Sequence, residues 1–351
     1  MLYIKQITVL RFLAACLVVV VHFGQHLVFF QQDLIATFIQ SGAIIVSFFF
    51  FLSGTVLGLN YLPKPQFSSK TFYIKRLARV YPIYLLAFVF TLFMGMHFNN
   101  AYPKGISIIL QLFSLHSWYP GICLEINFPS WTVAVEVFFY LLFPLLLKWF
   151  KRLSFNKAVL WVLLIWILSG LHHFYLSTHL YLPEELWAGE FVLYFPLWHL
   201  NCFLFGMLCA RYVLSVHEKG SMPLVRHRIW FVSGSLLFFV LMLTENPIKP
   251  HLHNGLMAPV YFIVLSGLSL DKSLLTKFLS HRFFLLLGNT SYAFYIFQWP
   301  IFIAVSAYFE TEKLDGQQFA LYFFLLLIFS ILIYLGYEKK MRKYIIQHWL
   351  K

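Results

Sequence analysis

The sequence predicts an all-α, polytopic integral membrane bundle of about ten transmembrane helices, and three observations carry that prediction. The chain of 351 residues is 61% hydrophobic, 21% aromatic and only 11% charged, with a mean hydropathy of +0.77, whereas soluble domains run near ~25% charged residues. Its apolar residues fall in runs long enough to cross a bilayer, at roughly 20 residues per crossing. Its Lys and Arg collect on alternate loops between those runs. The composition excludes a soluble globular fold. It also excludes collagen-like, disordered and disulfide-scaffold chains, because Gly (17), Pro (14) and Cys (4) are ordinary or few. With no internal repeat of fixed period, one domain over 1–351 is the economical reading, with no appended soluble domain.

Met1 to Gln6 precede an apolar run, Ile7 to Phe30, that is too long for a signal-peptide core and lacks a small-residue cleavage site, so it reads as a retained first helix near 7–29. Further crossings are expected near 39–62, 81–98, 131–147, 158–173, 190–210, 229–243, 255–270, 288–309 and 318–337. Ile106 to Leu115 is too short to span and reads as re-entrant or interfacial. The many Phe (42) read as lipid-facing and packing surface.

Charge tests this count, because short cytoplasmic loops carry the Lys and Arg. One side receives Lys5, the Lys64–Arg79 cluster, Lys148 to Lys157, Arg211 to Arg228, Lys272 to Arg282 and the basic run from Lys339 to Lys351. The other receives only Lys104, Lys249 and Lys313, together with Asp33, Glu125, Glu184, Glu185, Glu190, Glu245, Glu310, Glu312 and Asp315. Both termini are therefore expected in the cytoplasm. The formal net charge of +13 is a topology signal, and no nucleic-acid partner is called for.

Two charges remain inside crossings, Arg11 and Glu136. Intramembrane charges are costly, face the bundle interior and mark function. Eleven residues after Arg11 comes His22, only about 20° further round the helix and roughly 16.5 Å along it. Taken singly, Arg11 reads as a snorkelling anchor and His22 as a hydrogen-bonded bundle residue; on one stripe they place a cation near the inner boundary and a titratable base near the outer one. Glu136 follows Ser130-Trp131 and is expected about 7.5–10 Å below the outer boundary, level with His22. From there a carboxylate could orient the imidazole and stabilise its charged form.

Arg76 and Arg79, three apart before the third crossing, share a face if that segment is helical. Guanidinium forks bind phosphate oxygens bidentately, so the pair reads as a cytoplasmic anion site, or else as ordinary positive-inside charge. Ser53-Gly54 within the Phe-rich second crossing permits close approach of another helix or of a ligand. His22 with His26, His172 with His173 and His251 with His253 have pair spacings for a metal, but no carboxylate or Cys completes a ligand set, and no metal is expected. His199, near Pro196 and Asn201, reads as a site contributor or a satisfied polar residue rather than a metal ligand. The Cys residues read as small buried hydrophobes, without an outer-side pair for a disulfide.

In order along the chain, these residues resemble the membrane acyltransferase-3 family. The likeness rests on Arg11 with His22, the run Phe49-Phe50-Phe51-Leu52-Ser53-Gly54, Arg76-x-x-Arg79-Val80-Tyr81-Pro82, Ser130-Trp131 with Glu136-x-x-Phe139-Tyr140, and Leu287-Gly288-Asn289-Thr290-Ser291-Tyr292 leading to Trp299-Pro300. It spans about 5–337. The resemblance implies a multi-spanning O-acyltransferase of cell-envelope glycans, sited in the cell inner (plasma) membrane and using cytoplasmic acyl-CoA, favoured as acetyl-CoA, as co-substrate with no permanently bound cofactor. It implies essential roles for Arg11 and His22 and donor-phosphate contacts from Arg76 and Arg79; Ser53, Gly54 and Tyr292 are expected beside the donor's path. Trp131, Tyr140, His199 and Gln298 are then expected on the substrate side. His22 would act as general base, or itself be acylated; the residues leave both open.

The chain departs from the family pattern in two places. Gln298 stands where members commonly have His before the Trp-Pro, and Gln6 and Val9-Leu10 replace the Asp and Gly ahead of the helix-one Arg. Without an appended hydrolase-like domain, the protein is expected to act on the glycan itself or to hand acyl groups to a separate periplasmic or extracellular partner. The competing reading is a transporter or flippase for a lipid-linked sugar, with Pro196, Pro259 and Pro300 breaking helices, but paired interruptions in two halves are missing.

Overall fold

The computed structural model describes residues 4–181, 184–219, 224–244, 249–271 and 273–350, and among them it is all helical, without a strand. Glu245, Lys272 and Lys351, which enter the charge reading, lie outside the described residues, as does the side chain of His251. The helices are α1 (Lys5–Phe23), α2 (Asp33–Gln40), α3 (Ile44–Tyr61), α4 (Ser69–Phe98), α5 (Gly105–Leu112), α6 (Trp131–Arg152), α7 (Phe155–His179), α8 (Leu186–Tyr194), α9 (Leu200–Lys219), α10 (Leu224–Leu243), α11 (Ala258–Leu270), α12 (Leu274–Leu279), α13 (Arg282–Ile296), α14 (Gln298–Tyr308), α15 (Gly316–Ile333) and α16 (Lys339–Trp349).

Among the described residues, eight helical segments are long and apolar enough to cross a membrane. The difference from ten has two sources. Helix α11 is 13 residues long, about 20 Å at 1.5 Å per residue, short of the ~30 Å hydrocarbon core. The expected crossing at 288–309 is divided at Phe297 into α13 and α14, although the amide of Phe297 still bonds the Ala293 carbonyl at 3.0 Å and that of Ile301 the Phe297 carbonyl at 3.1 Å. Helix α4 begins twelve residues before the expected 81, because Ser68 caps it by accepting from the Thr71 amide at 3.3 Å. Arg76 and Arg79 are therefore helical. Pro196 interrupts the expected sixth crossing between α8 and α9. Beyond α15 the chain widens into a π-helical turn, Tyr334–Glu338, and continues as α16.

At the centre α3 and α9 pack backbone to backbone. A Cβ added to Gly54 would stand 2.0 Å from the Phe203 carbonyl oxygen, and one added to Gly206 2.0 Å from that of Phe51. The contact is reciprocal and tolerates nothing larger than hydrogen, the arrangement that lets helices associate without a hydrophobic drive in lipid. Helix α13 meets α1 in the same way at Gly288, where an added Cβ would stand 2.2 Å from the Thr8 carbonyl oxygen. Phe50, Phe51, Phe139, Phe143 and Phe203 are fully buried around this centre, while Leu160, Leu164, Leu168 and Leu171 of α7 face outward. Phe therefore serves both as core and as outer surface, Phe93, Phe174 and Phe324 being exposed, and α7 supplies further apolar outer surface. The short segment read as re-entrant is the eight-residue α5, held to α4 by Tyr81, whose hydroxyl donates to the Leu112 carbonyl at 3.0 Å.

Candidate active site

Arg11, Arg76 and Arg79 are the residues around which the site is built. Helix α1 presents Arg11, and α4 presents Arg76 and Arg79 from one face, three residues apart. All three line two cavities at once. The larger, of about 450 Å³, is bounded by Arg11, Lys64, Lys75, Arg76, Arg79 and Arg342, with Asn60 and Asn289 among its polar neighbours. The smaller, of about 40 Å³, adds Ser53, Glu136, Tyr140 and Tyr292 to the same three guanidiniums. A third pocket of about 40 Å³ continues from it past Arg11 and Glu136 to Thr132, Ser291 and Tyr295. Among the described residues no carboxylate oxygen lies within 4 Å of these cations; the ion pair at that range is Arg228 with Asp271, elsewhere. The arrangement is a cationic vestibule narrowing through three arginines to a neck walled by hydroxyls and one carboxylate.

Seven of the expected site residues meet here: Arg11, Ser53, Arg76, Arg79, Glu136, Tyr140 and Tyr292. The Tyr140 hydroxyl donates to Glu136 Oε2 at 2.8 Å, the Tyr292 hydroxyl donates to the Val80 carbonyl at 3.2 Å, and the Arg76 guanidinium stands 5.9 Å from the centres of the Phe72 and Tyr140 rings. Arg76 Nε is buried without a hydrogen-bond partner. A buried donor left unpaired costs free energy unless a ligand supplies the acceptor.

His22 is not paired with Glu136, contrary to the reading from depth. Its Nδ1 lies 2.8 Å from Oε1 of Gln298, and its ring meets the edge of Phe128 at 4.8 Å between centroids. Phe128 is the residue level with His22, and Glu136, eight positions further on, is roughly 12 Å deeper at helical rise. That depth places Glu136 beside Arg11. Gln298 is completely buried and is thereby corrected from a substrate contact to the partner of His22. Its Nε2 donates to the Tyr295 carbonyl at 2.7 Å, so its Oε1 faces the imidazole. That oxygen can only accept, so Nδ1 carries the hydrogen and Nε2 keeps its lone pair.

Two further expectations change. Gly54, read as a donor contact, is buried on α9 and serves helix packing, while its neighbour Ser53 lines the neck. Trp131 and His199 lie in a separate buried cluster, with ring centroids 5.3 Å apart, and His253 is 5.7 Å from His199. His199 Nε2 bonds the Leu193 carbonyl at 3.0 Å, and its Nδ1 has no partner. Phe50 partitions this cluster from the neck, touching His199 at 4.9 Å and Trp131 at 5.7 Å while lining the pocket beside Glu136. His26, weighed as half of a metal pair, is hydrogen-bonded through Nε2 to the Leu314 carbonyl at 2.7 Å.

Sequence reasoning missed Lys64, Lys75, Arg342, Asn60 and Asn289 of the vestibule. The cations were read only as loop charge; their convergence depends on α4 starting early and α16 continuing the last crossing.

Comparison with known proteins adds three findings. A family model described as "Acyltransferase domain" matches residues 4–336. Over 177 residues the chain is 30% identical to "Acyltransferase MdmB" of Streptomyces mycarofaciens, a stretch covering 48% of this chain and 44% of that relative, so the alignment spans less than half of the relative's length. No solved structure matches.

Proposed function

The chain belongs to the acyltransferase family whose model spans residues 4–336, and from that premise we propose a multi-pass O-acyltransferase of the cell inner (plasma) membrane that moves an acyl group, acetyl by preference, from cytoplasmic acyl-CoA to a hydroxyl of a cell-surface or lipid-linked glycan. In this reading the chain makes ten crossings with both termini in the cytoplasm, α11 and the α13–α14 pair supplying the two short ones.

The observation that carries the reading is the sharing of three guanidiniums between a wide cationic vestibule and a narrow neck. The vestibule suits the phosphates of the donor, which guanidinium forks bind bidentately. The neck suits the thin thiol-bearing arm, which passes Ser53, Tyr292 and Arg11 toward His22. His22 Nε2 then accepts the proton of the acceptor hydroxyl as its oxygen attacks the thioester carbonyl. The C–S bond breaks, and the departing coenzyme thiolate takes up the proton. General-base assistance of this kind contributes roughly 10²–10⁴-fold. Gln298 holds the imidazole in the tautomer the step requires, while Glu136, hydrogen-bonded to Tyr140, offsets the charge of Arg11 at the neck.

The test is transfer of a labelled acyl group from CoA to membrane glycan by the wild type and by His22→Ala. A loss of at least roughly a hundredfold is expected; undiminished transfer removes His22 from the chemistry.

A further inference from the structure

The residues that follow the family match, from Tyr337 on, are not idle. Helix α16 packs against α4 and shares a cavity wall with its Lys75, Arg76 and Arg79. Its entry is the π-helical turn Tyr334–Glu338, whose extra residue per turn resets the facing of everything after it; such turns recur at functional sites. Arg342 and, one turn further on, Ile346 line the vestibule. Glu338 is four residues before Arg342 and so shares its face.

Two facts about this pair stand out. Arg342 brings a further guanidinium within electrostatic reach of Arg76 and Arg79, with no carboxylate within 4 Å among the described residues. Glu338 is 7% exposed, its Oε2 has no hydrogen-bond partner, and the charges acting on it are those of Arg79, Arg11 and Arg342. Converging like charges and a buried carboxylate that pairs with none of them describe a site whose own groups leave it unfilled. A polyanion of several phosphates satisfies the guanidiniums better than one carboxylate does, and it competes with that carboxylate for them.

We propose that α16 is a wall of the donor site, in which Arg342 binds a phosphate of the donor and Glu338 is the placeholder anion that opposes its binding. This inference rests on the donor reading above. It assigns opposite signs to two residues one turn apart on one helix, and a purely structural role for α16 does not produce that pattern.

The experiment is equilibrium binding of radiolabelled CoA to the purified full-length protein in detergent, for the wild type, Arg342→Gln and Glu338→Gln, with inorganic pyrophosphate as competitor. Thermal stability of each variant without ligand is measured alongside. Arg342→Gln is expected to weaken CoA roughly tenfold, the scale of one charge-assisted hydrogen bond, and Glu338→Gln to tighten it severalfold. Pyrophosphate is expected to displace CoA from wild type more readily than from Arg342→Gln. CoA binding unchanged in Arg342→Gln overturns the assignment while leaving the proposed donor standing, and so does weakening by both variants. Absence of CoA binding to the wild type overturns the donor reading itself.

Discussion

His22 donates through Nδ1 to an amide that is itself committed to the Tyr295 carbonyl, so a single buried residue decides which imidazole nitrogen is basic. Replacing Gln298 by Leu removes that direction and strands Nδ1. Loss of such a bond is worth about 1–3 kcal/mol, or roughly ten- to a hundredfold in rate. The expected outcome is a fall in kcat of that size with the donor KM little changed, partly restored by Gln298→His, measured by acyl transfer at saturating donor. Arg11, Arg76, Arg79 and Glu136 were legible in the sequence, because a charge in or beside an apolar run has few bland explanations. Gln298 was legible only as a departure from a family pattern; its partner depends on the break between α13 and α14. Outside the crossings, the burial of His116, which also hydrogen-bonds Ser130, pushes its imidazole down to about 3. Such a group stays neutral in the fold but binds a proton in the unfolded chain below its ordinary value near ~6.5. Burying this histidine therefore costs the fold progressively more stability as pH falls from about 6.5 toward 3. His116→Gln is expected to flatten the fall of melting temperature over that window.

At the scale of elements, the reciprocal contact of Gly54 with Phe203 and of Gly206 with Phe51 fixes α3 against α9, and the neighbouring Ser53 lines the neck. Gly54→Val and Gly206→Val force backbone apart. Each is expected to destabilise the protein by at least about 1–3 kcal/mol, seen as a lower melting temperature and poor recovery from membranes. Gly316→Ala, where an added Cβ meets nothing within 4 Å, is expected to be near neutral. The existence and order of the long apolar helices were readable from apolar runs, since hydropathy dominates in lipid, whereas α12 and α16 fall in no such run. Their ends were not, because the cap at Ser68, the break at Pro196 and the turn at Tyr334–Glu338 are local hydrogen-bond solutions that hydropathy does not register. This is why three vestibule cations, Lys64, Lys75 and Arg342, looked like ordinary loop charge.

For the whole molecule, the proposed orientation separates a basic face from an acidic one. Cysteines introduced at Lys64 and Lys343 are expected to be protected from a membrane-impermeant maleimide in intact cells, and one at Glu312 to be labelled; the reverse pattern inverts the topology. The vestibule is open and charged, so its hold on a polyanion is screened: raising ionic strength from about 0.05 to 0.5 M is expected to raise the donor KM severalfold, the Debye length shrinking from roughly 14 to 4 Å. The narrow neck carries a last consequence. In the proposed orientation the wide cavity is expected to bring the electrical potential of the inner solution down to Arg11, so that a voltage across the bilayer falls mostly over the roughly 16.5 Å between Arg11 and His22. At about 2.3 kcal/mol per elementary charge per 100 mV, any ion or charge-bearing intermediate crossing that stretch is then expected to do electrical work, which makes turnover sensitive to an energised membrane.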